Sequence, residues 1–248
     1  MANVSTTPIV ALDVPAAEDA MRLVDSLGTR CRFYKIGSEL FTAAGPAVVS
    51  RIRETGSDVF LDLKYHDIPN TVRGAVQSAA RLGVRLLTVH AIGGAAMLEA
   101  AVDAAGDQVG ILAVTVLTSF DDDTLARAMG RPGVITRNEV ERLADAAAAA
   151  RAHGIVCSGA EAASLHRRFG DRLALLVPGI RLAGGPSHDQ KRVVTPSEAA
   201  AAGARYVVVG RAVTAAADPP RAMDAILADL QAVTAERSPA GPGRSIRN

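Results

Sequence analysis

Eight short β-rich runs recur along this chain, each is followed by a helix-forming segment, and the runs are continuously apolar instead of alternating. These three observations predict an α/β fold, a single parallel eight-stranded (β/α)8 TIM barrel. Continuous apolar runs mark parallel strands covered on both faces. An eightfold β–α alternation in 248 residues fits one barrel domain, a fold that takes about 250 residues. The runner-up is an open doubly wound sheet. It is weakened because no Gly-x-Gly-x-x-Gly follows the first run, where a dinucleotide-binding version would carry it.

The strands are predicted, in order, at Ile9 to Leu12, Phe33 to Ile36, Val59 to Asp62, Leu86 to Val89, Ile111 to Val116, Ile155 to Cys157, Leu175 to Val177 and Tyr206 to Val209. Helices are expected at Ala16 to Leu27, Thr71 to Leu82, Ala95 to Ala105 and Val140 to His153, all rich in good helix formers. Gly28, Gly56, Gly83, Gly154 and Gly203 stand where helix C-caps are needed. The alanine run 146 to 150 reads as a tightly packed helix face, and Asp121-Asp122-Asp123 as a solvated turn or helix N-terminus. Arg181 to Thr195 is long, polar and Gly-rich, and reads as a mobile loop or lid after the seventh strand. The barrel is assigned to residues 1–236. Residues 237–248 have the composition of a disordered tail.

Composition narrows the function classes. With 49% hydrophobic residues the chain can bury a sizeable core, and a net charge of +1 with interspersed signs argues against nucleic-acid or membrane-surface binding. Tryptophan is absent and aromatics make up 3%, too few for base-stacking platforms. Cys31 and Cys157 lie in different segments without a Cys-x-x-Cys pattern, which fits a reduced, cytoplasmic protein. The first residues show no leader pattern, and no apolar run approaches a membrane span. His153, His166 and His188 show no metal-ligand spacing.

The chemistry concentrates in Asp62-Leu63-Lys64-Tyr65-His66-Asp67. Side chains alternate across a strand, so Asp62 and Lys64 are expected on one side. Burying both costs desolvation energy unless they pair or react, which leaves two readings: a structural ion pair or a reactive site. His66 falls on the opposite face and is read as structural. The C-terminal ends of barrel strands form the active-site rim. That rule collects Asp13, Lys35, Asp62, Lys64, His90, Thr118, Ser119, Gly179, Arg181, Gly210 and Arg211. Loops after the seventh and eighth strands of such barrels often bind phosphate. Here they read Pro178-Gly179-Ile180-Arg181 and Gly210-Arg211, with glycine for close backbone approach and arginine for bidentate charge-assisted bonds. Gln190 is a neutral donor able to close over the same phosphate.

Lys35, the run Asp62-x-Lys64-x-x-Asp67-Ile68-Pro69-Asn70-Thr71 and the two phosphate turns together resemble the orotidine 5′-phosphate decarboxylases of the common bacterial form, from about Pro8 to about Leu230. The resemblance implies decarboxylation of orotidine 5′-phosphate to UMP and CO2, the last step of de novo UMP synthesis, without metal or organic cofactor, in a homodimer with shared active sites. It implies that Lys64 donates the proton to C6, that Asp62 faces the substrate carboxylate, and that Lys35 and Asp67 complete the charged chain. Asp67, Ile68 and Thr71 would come from the partner subunit. Asp13 and Lys35 would contact ribose, Thr118 and Ser119 the pyrimidine edge, and Arg181, Gln190, Gly210 and Arg211 the phosphate. The alternative is a Mg²⁺-dependent sugar-phosphate decarboxylase or aldolase sharing the Asp-x-Lys-x-x-Asp motif. Such enzymes, by the same resemblance, carry an acidic residue where this chain has Lys35.

Overall fold

The computed structural model describes residues 6–182 and 194–236. Its strands are β1 (Thr7–Ala11), β2 (Phe33–Gly37), β3 (Asp58–Tyr65), β4 (Leu86–His90), β5 (Gly110–Val114), β6 (Gly154–Val156), β7 (Ala174–Val177) and β8 (Tyr206–Val209). They pair in sequence order and close on themselves, with every ladder parallel, including β1 against β8. The helices are α1 (Ala17–Leu27), α2 (Ser38–Ala44), α3 (Ala47–Glu54), α4 (Pro69–Arg81), α5 (Ala95–Ala105), α6 (Asp122–Met129), α7 (Thr136–Ala149), α8 (Gly159–Phe169), α9 (Pro196–Ala201), α10 (Arg211–Thr214) and α11 (Pro219–Glu236). The barrel predicted from the eightfold alternation is the one observed.

Strand alternation divides the core in two. Ile9 and Ala11, Phe33, Phe60, Leu86, Leu112, Leu176, Tyr206 and Val208 point into the barrel and form one cluster. Their neighbours Val10, Tyr34, Ile36, Val59, Leu61, Leu87, Val89, Ile111, Ala113, Val207 and Val209 point outward and pack under the helices. Both faces are therefore dry, which is why the strands read as unbroken apolar runs. Each fully buried Leu, Ile or Val contributes roughly 1.5–3 kcal/mol relative to exposure. The inner cluster plugs the lower barrel, with Phe33 and Tyr206 edge to face at 6.2 Å, and leaves the upper rim for polar side chains.

Local signals explain several element ends. The Asp121 carboxylate accepts from Thr124 N at 2.9 Å and caps α6, as the acidic run suggests. Thr195 and Glu198 form a reciprocal capping box that starts α9. Gly203 follows the end of α9 at φ 90°, a backbone shape that other residues adopt only with strain.

Three expectations need correction, and one segment gains two helices. The fifth run stops as a regular strand at Val114, not Val116, because the Thr115 hydroxyl turns onto the Val156 carbonyl at 2.8 Å. The third strand runs on to Tyr65. Between β2 and β3 the chain makes two short helices, broken at Gly45 (φ 63°) and Pro46. Gly154 is not a helix cap: α7 ends at Ala149 with Ala150 as its cap, and Gly154 opens β6. The tail at 237–248 and most of the proposed lid, 183–193, lie outside the described residues.

Gly154 is required by its neighbour. A Cβ there would lie 2.1 Å from the backbone oxygen of Ala174 on β7. Gly154→Ala should therefore destabilise the barrel by about 1–3 kcal/mol, through overpacking against a backbone that cannot move aside. Equilibrium urea unfolding checks this, and an unchanged midpoint would remove the packing account.

Candidate active site

The third strand supplies the centre of the site. Lys64 Nζ lies 2.8 Å from Asp62 Oδ1, so the two side chains do share one side. Simple alternation is not the cause. Leu61 pairs with Leu87 and Tyr65 pairs with Val89, so residues 62 to 64 face Thr88 alone. The ladder bulges there, and Lys64 takes a positive φ of 51°. The strand thus swells inward where the two charges stand.

Lys35, from β2, enters the same cluster. Its ammonium is 2.7 Å from Asp13 Oδ1 and 3.7 Å from Asp62 Oδ2. Gly37 makes room for this pair, since a Cβ there would lie 2.9 Å from Lys35 Nζ and 3.1 Å from Asp13 Oδ1. The result is a chain of alternating charge: Asp13, Lys35, Asp62, Lys64. Burial pushes the Asp62 carboxyl up. The ammonium groups of Lys35 and Lys64, with hydrogen bonds from Lys64 and Thr88, outweigh it and hold the acid below its usual range. Asp62 is therefore ionised through the neutral range. That contribution to stability is present above the ordinary carboxylate pKa and is lost only as the pH falls through the depressed value. Next to Lys64, burial, the nearby His66 and the Lys64 ammonium all push His90 down, and its ring lies 5.7 Å from that of His66. His66 is thus packed on His90 outside the charged chain.

These groups line a cleft of about 330 Å³ at the C-terminal ends of the strands, within the range of small-ligand sites. Its floor is apolar, formed by Ala11, Phe60, Val156, Leu176 and Val208, with Val114 and Val116 to one side. Thr118, Gly179, Arg181, Gly210 and Arg211 complete the rim as expected from their strand-end positions. Lys35, Lys64, Arg181 and Arg211 outnumber the two carboxylates Asp13 and Asp62, so the cleft suits an anion. Gly179 has φ 77° and exposes its backbone to the cleft, and Arg181 is almost fully buried, with Nη1 donating to Ile180 O at 2.7 Å. Arg181 N donates to Val194 O at 3.0 Å, which ties the stretch after β7 to the residue before the α9 cap.

Four predicted residues do not reach this cleft within one chain. Asp67, Ile68 and Thr71 are exposed at the start of α4, and the Asp67 carboxylate accepts from the backbone N–H of Ile68 at 2.6 Å. Ser119 is exposed beyond Thr118 and does not line the cleft. Gln190 lies outside the described residues. Two contributors have no sequence signal of their own: Gly37, which leaves space for Lys35, and Thr88, which is fully buried in β4 and bonds both Asp62 and Lys64. Threonine in an apolar strand reads as an ordinary β-branched residue. Among the described residues no three His, Cys, Asp or Glu side chains gather as a metal site, because each carboxylate in the cleft faces an ammonium.

Comparison with known proteins shows the family. A sequence model described as the orotidine 5′-phosphate decarboxylase / HUMPS family matches residues 6–226. The chain is 51% identical over 227 residues to the orotidine 5′-phosphate decarboxylase of Halorhodospira halophila, covering 90% of this chain and 95% of that one. It is 46% identical over 232 residues to that of Cutibacterium acnes, covering 92% and 97%. Among solved structures, the orotidine 5′-phosphate decarboxylase of Lactobacillus acidophilus superposes with a TM-score of 0.80 at 36% identity, covering 91% of this chain and 99% of that one. The family model spans all eight strands, from β1 to β8, and the chain belongs to the orotidine 5′-phosphate decarboxylase / HUMPS family.

Proposed function

We propose that this protein converts orotidine 5′-phosphate to UMP and CO2, the last step of de novo UMP synthesis, using its own side chains and neither metal nor organic cofactor. The observation that carries the reading is the Lys64 ammonium, held 2.8 Å from an ionised, buried Asp62 at the mouth of an anion-binding cleft. Loss of CO2 breaks the bond from C6 to the carboxylate carbon and leaves the electron pair on C6. That pair lies in the ring plane, where the ring carbonyls cannot delocalise it. Stabilisation must then be electrostatic, and a fixed ammonium in a water-poor site supplies it. Lys64 then transfers a proton to C6 and completes UMP. Asp62 faces the substrate carboxylate and adds repulsion that the departure of CO2 relieves.

The rest of the rim fits the rest of the substrate. Asp13 and Lys35 suit ribose hydroxyls, and Thr118 suits the pyrimidine edge, with Ser119 just beyond the cleft. Arg181, Arg211 and Gly210 suit the phosphate, whose binding energy holds the ring against Lys64, and by the family resemblance Gln190 would join them. Lys35 supports this reading over the Mg²⁺-dependent alternative, since it occupies Asp62 and Asp13 with a second cation.

The protein is further proposed to act as a homodimer with shared sites. Asp67 and Ile68 support this: they stand exposed beside Lys64 in sequence yet outside their own cleft, and Ile68, at 67% exposure, is an apolar side chain awaiting cover. Asp67 of the partner subunit would then extend the charged chain at Lys64.

Three measurements test the reading. The ultraviolet absorbance change as orotidine 5′-phosphate is consumed in EDTA should proceed with the wild type and fall by about a thousandfold or more in Lys64→Ala. Appreciable turnover by folded Lys64→Ala, or arrest of the wild type by EDTA, would sink the mechanism. Arg211→Ala should lower kcat/KM by roughly ten- to a hundredfold while keeping the melting temperature; a wild-type value would remove the phosphate contact. Mixing Lys64→Ala with Asp67→Ala subunits should restore activity that neither homodimer has, because one of the two sites in each mixed dimer is intact. No recovery in verified heterodimers would refute the shared site.

A further inference from the structure

The bulge in β3 raises a question that the charged chain does not answer: what holds Lys64 at a positive φ and keeps its ammonium on Asp62? Three residues of β3 face the single residue Thr88 of β4. The regular ladder therefore has no carbonyl for the Lys64 N–H, and a buried N–H without a partner is costly. That N–H donates instead to Thr88 Oγ1 at 2.9 Å. The same hydroxyl donates onward to Asp62 Oδ1 at 2.9 Å. Asp62 Oδ1 in turn accepts from Lys64 Nζ at 2.8 Å. The bonds close a ring that runs from the Lys64 backbone through Thr88 and Asp62 to the Lys64 side chain.

We propose that Thr88 is a positioning residue for the decarboxylation, its hydroxyl locking the bulge at Lys64 and the carboxylate of Asp62 into one geometry. Thr88 is 0% exposed, so it touches neither substrate nor solvent and acts only through its two partners. Its side chain points into the barrel between Leu86 and His90, where β-branching limits it to few rotamers and the flanking strands hold it in register with Leu112 on β5. Threonine is suited to the place because one hydroxyl both accepts from an amide and donates to a carboxylate. Valine has the same shape and does neither.

The inference rests on Lys64 and Asp62 doing the chemistry, and the experiment separates the two claims. Thr88→Val, Thr88→Ser and Lys64→Ala are assayed side by side for kcat, KM and UMP affinity. Thr88→Val should lose roughly ten- to a hundredfold in kcat, as expected for hydrogen bonds to charged groups. Its KM and UMP affinity should stay within about threefold, because the phosphate and ribose contacts are untouched. Thr88→Ser, which restores the hydroxyl, should recover kcat to within about threefold. A wild-type kcat in Thr88→Val, a Thr88→Ser enzyme as slow as Thr88→Val, or UMP affinity falling in step with kcat would each overturn the positioning role. Should Thr88→Val not fold, Thr88→Ala against Thr88→Ser decides on the same criteria. An inactive Lys64→Ala beside a fully active Thr88→Val would reject Thr88 alone; an active Lys64→Ala would reject the chemistry beneath it.

Discussion

A carboxylate that sits inside a barrel mouth has to be held ionised, and the site is arranged around that constraint. The Asp62 side chain retains 14% of its exposure. The effective cost of desolvating such a charge is several kcal/mol. Two ammonium groups and one hydroxyl offset it, and each enters from a fixed strand: Lys35 from β2, Lys64 from β3 itself, and Thr88 from β4. Removing one partner would leave a charge partly buried and underpaired, the expensive state. The cluster is therefore a unit, in which charge, position and strand register depend on one another.

The barrel makes such a unit possible. Parallel strands in sequence order bring eight C-terminal ends to one rim, and the apolar plug below gives that rim a dry floor. Field lines between charges are weakly screened there, so a fixed ammonium acts strongly on charge that develops beside it. The irregularities of the barrel are local to the chemistry. The bulge on β3, the positive φ of Lys64 and the glycine at position 37 all lie around the same few ångströms. Elsewhere a glycine serves packing, as at Gly154 against the Ala174 carbonyl.

Legibility in the sequence followed the range of the interaction. The strands were legible because burial on both faces writes an unbroken apolar run into the chain, and the cap of α6 because Asp121 bonds a residue three positions away. Lys35, Asp62, Lys64 and the two arginines were legible because a charge at the end of an apolar run is conspicuous and the barrel topology assigns it a rim position. Gly154 was misread because its reason is the backbone of β7, twenty residues on in the chain. Thr88 was passed over because its significance lies in what stands opposite a bulge, and a bulge is a mismatch between two strands that neither strand announces. The end of β5 shifted for a similar reason, a hydroxyl of one strand reaching a carbonyl of the next.

The eightfold alternation, the dry core and the set of charges at the strand ends are written in the chain, since they follow from composition, periodicity and nearest-neighbour chemistry. How the charges are coupled is settled by the folding of one strand against the next. The 2.8 Å contact of Lys64 with Asp62, the placement of Lys35 between two carboxylates, and the buried hydroxyl that ties the bulge to the acid depend on register between neighbouring strands. Register is a property of two chain segments meeting in space, and a shift of one residue would carry each of these groups to the other face of the sheet.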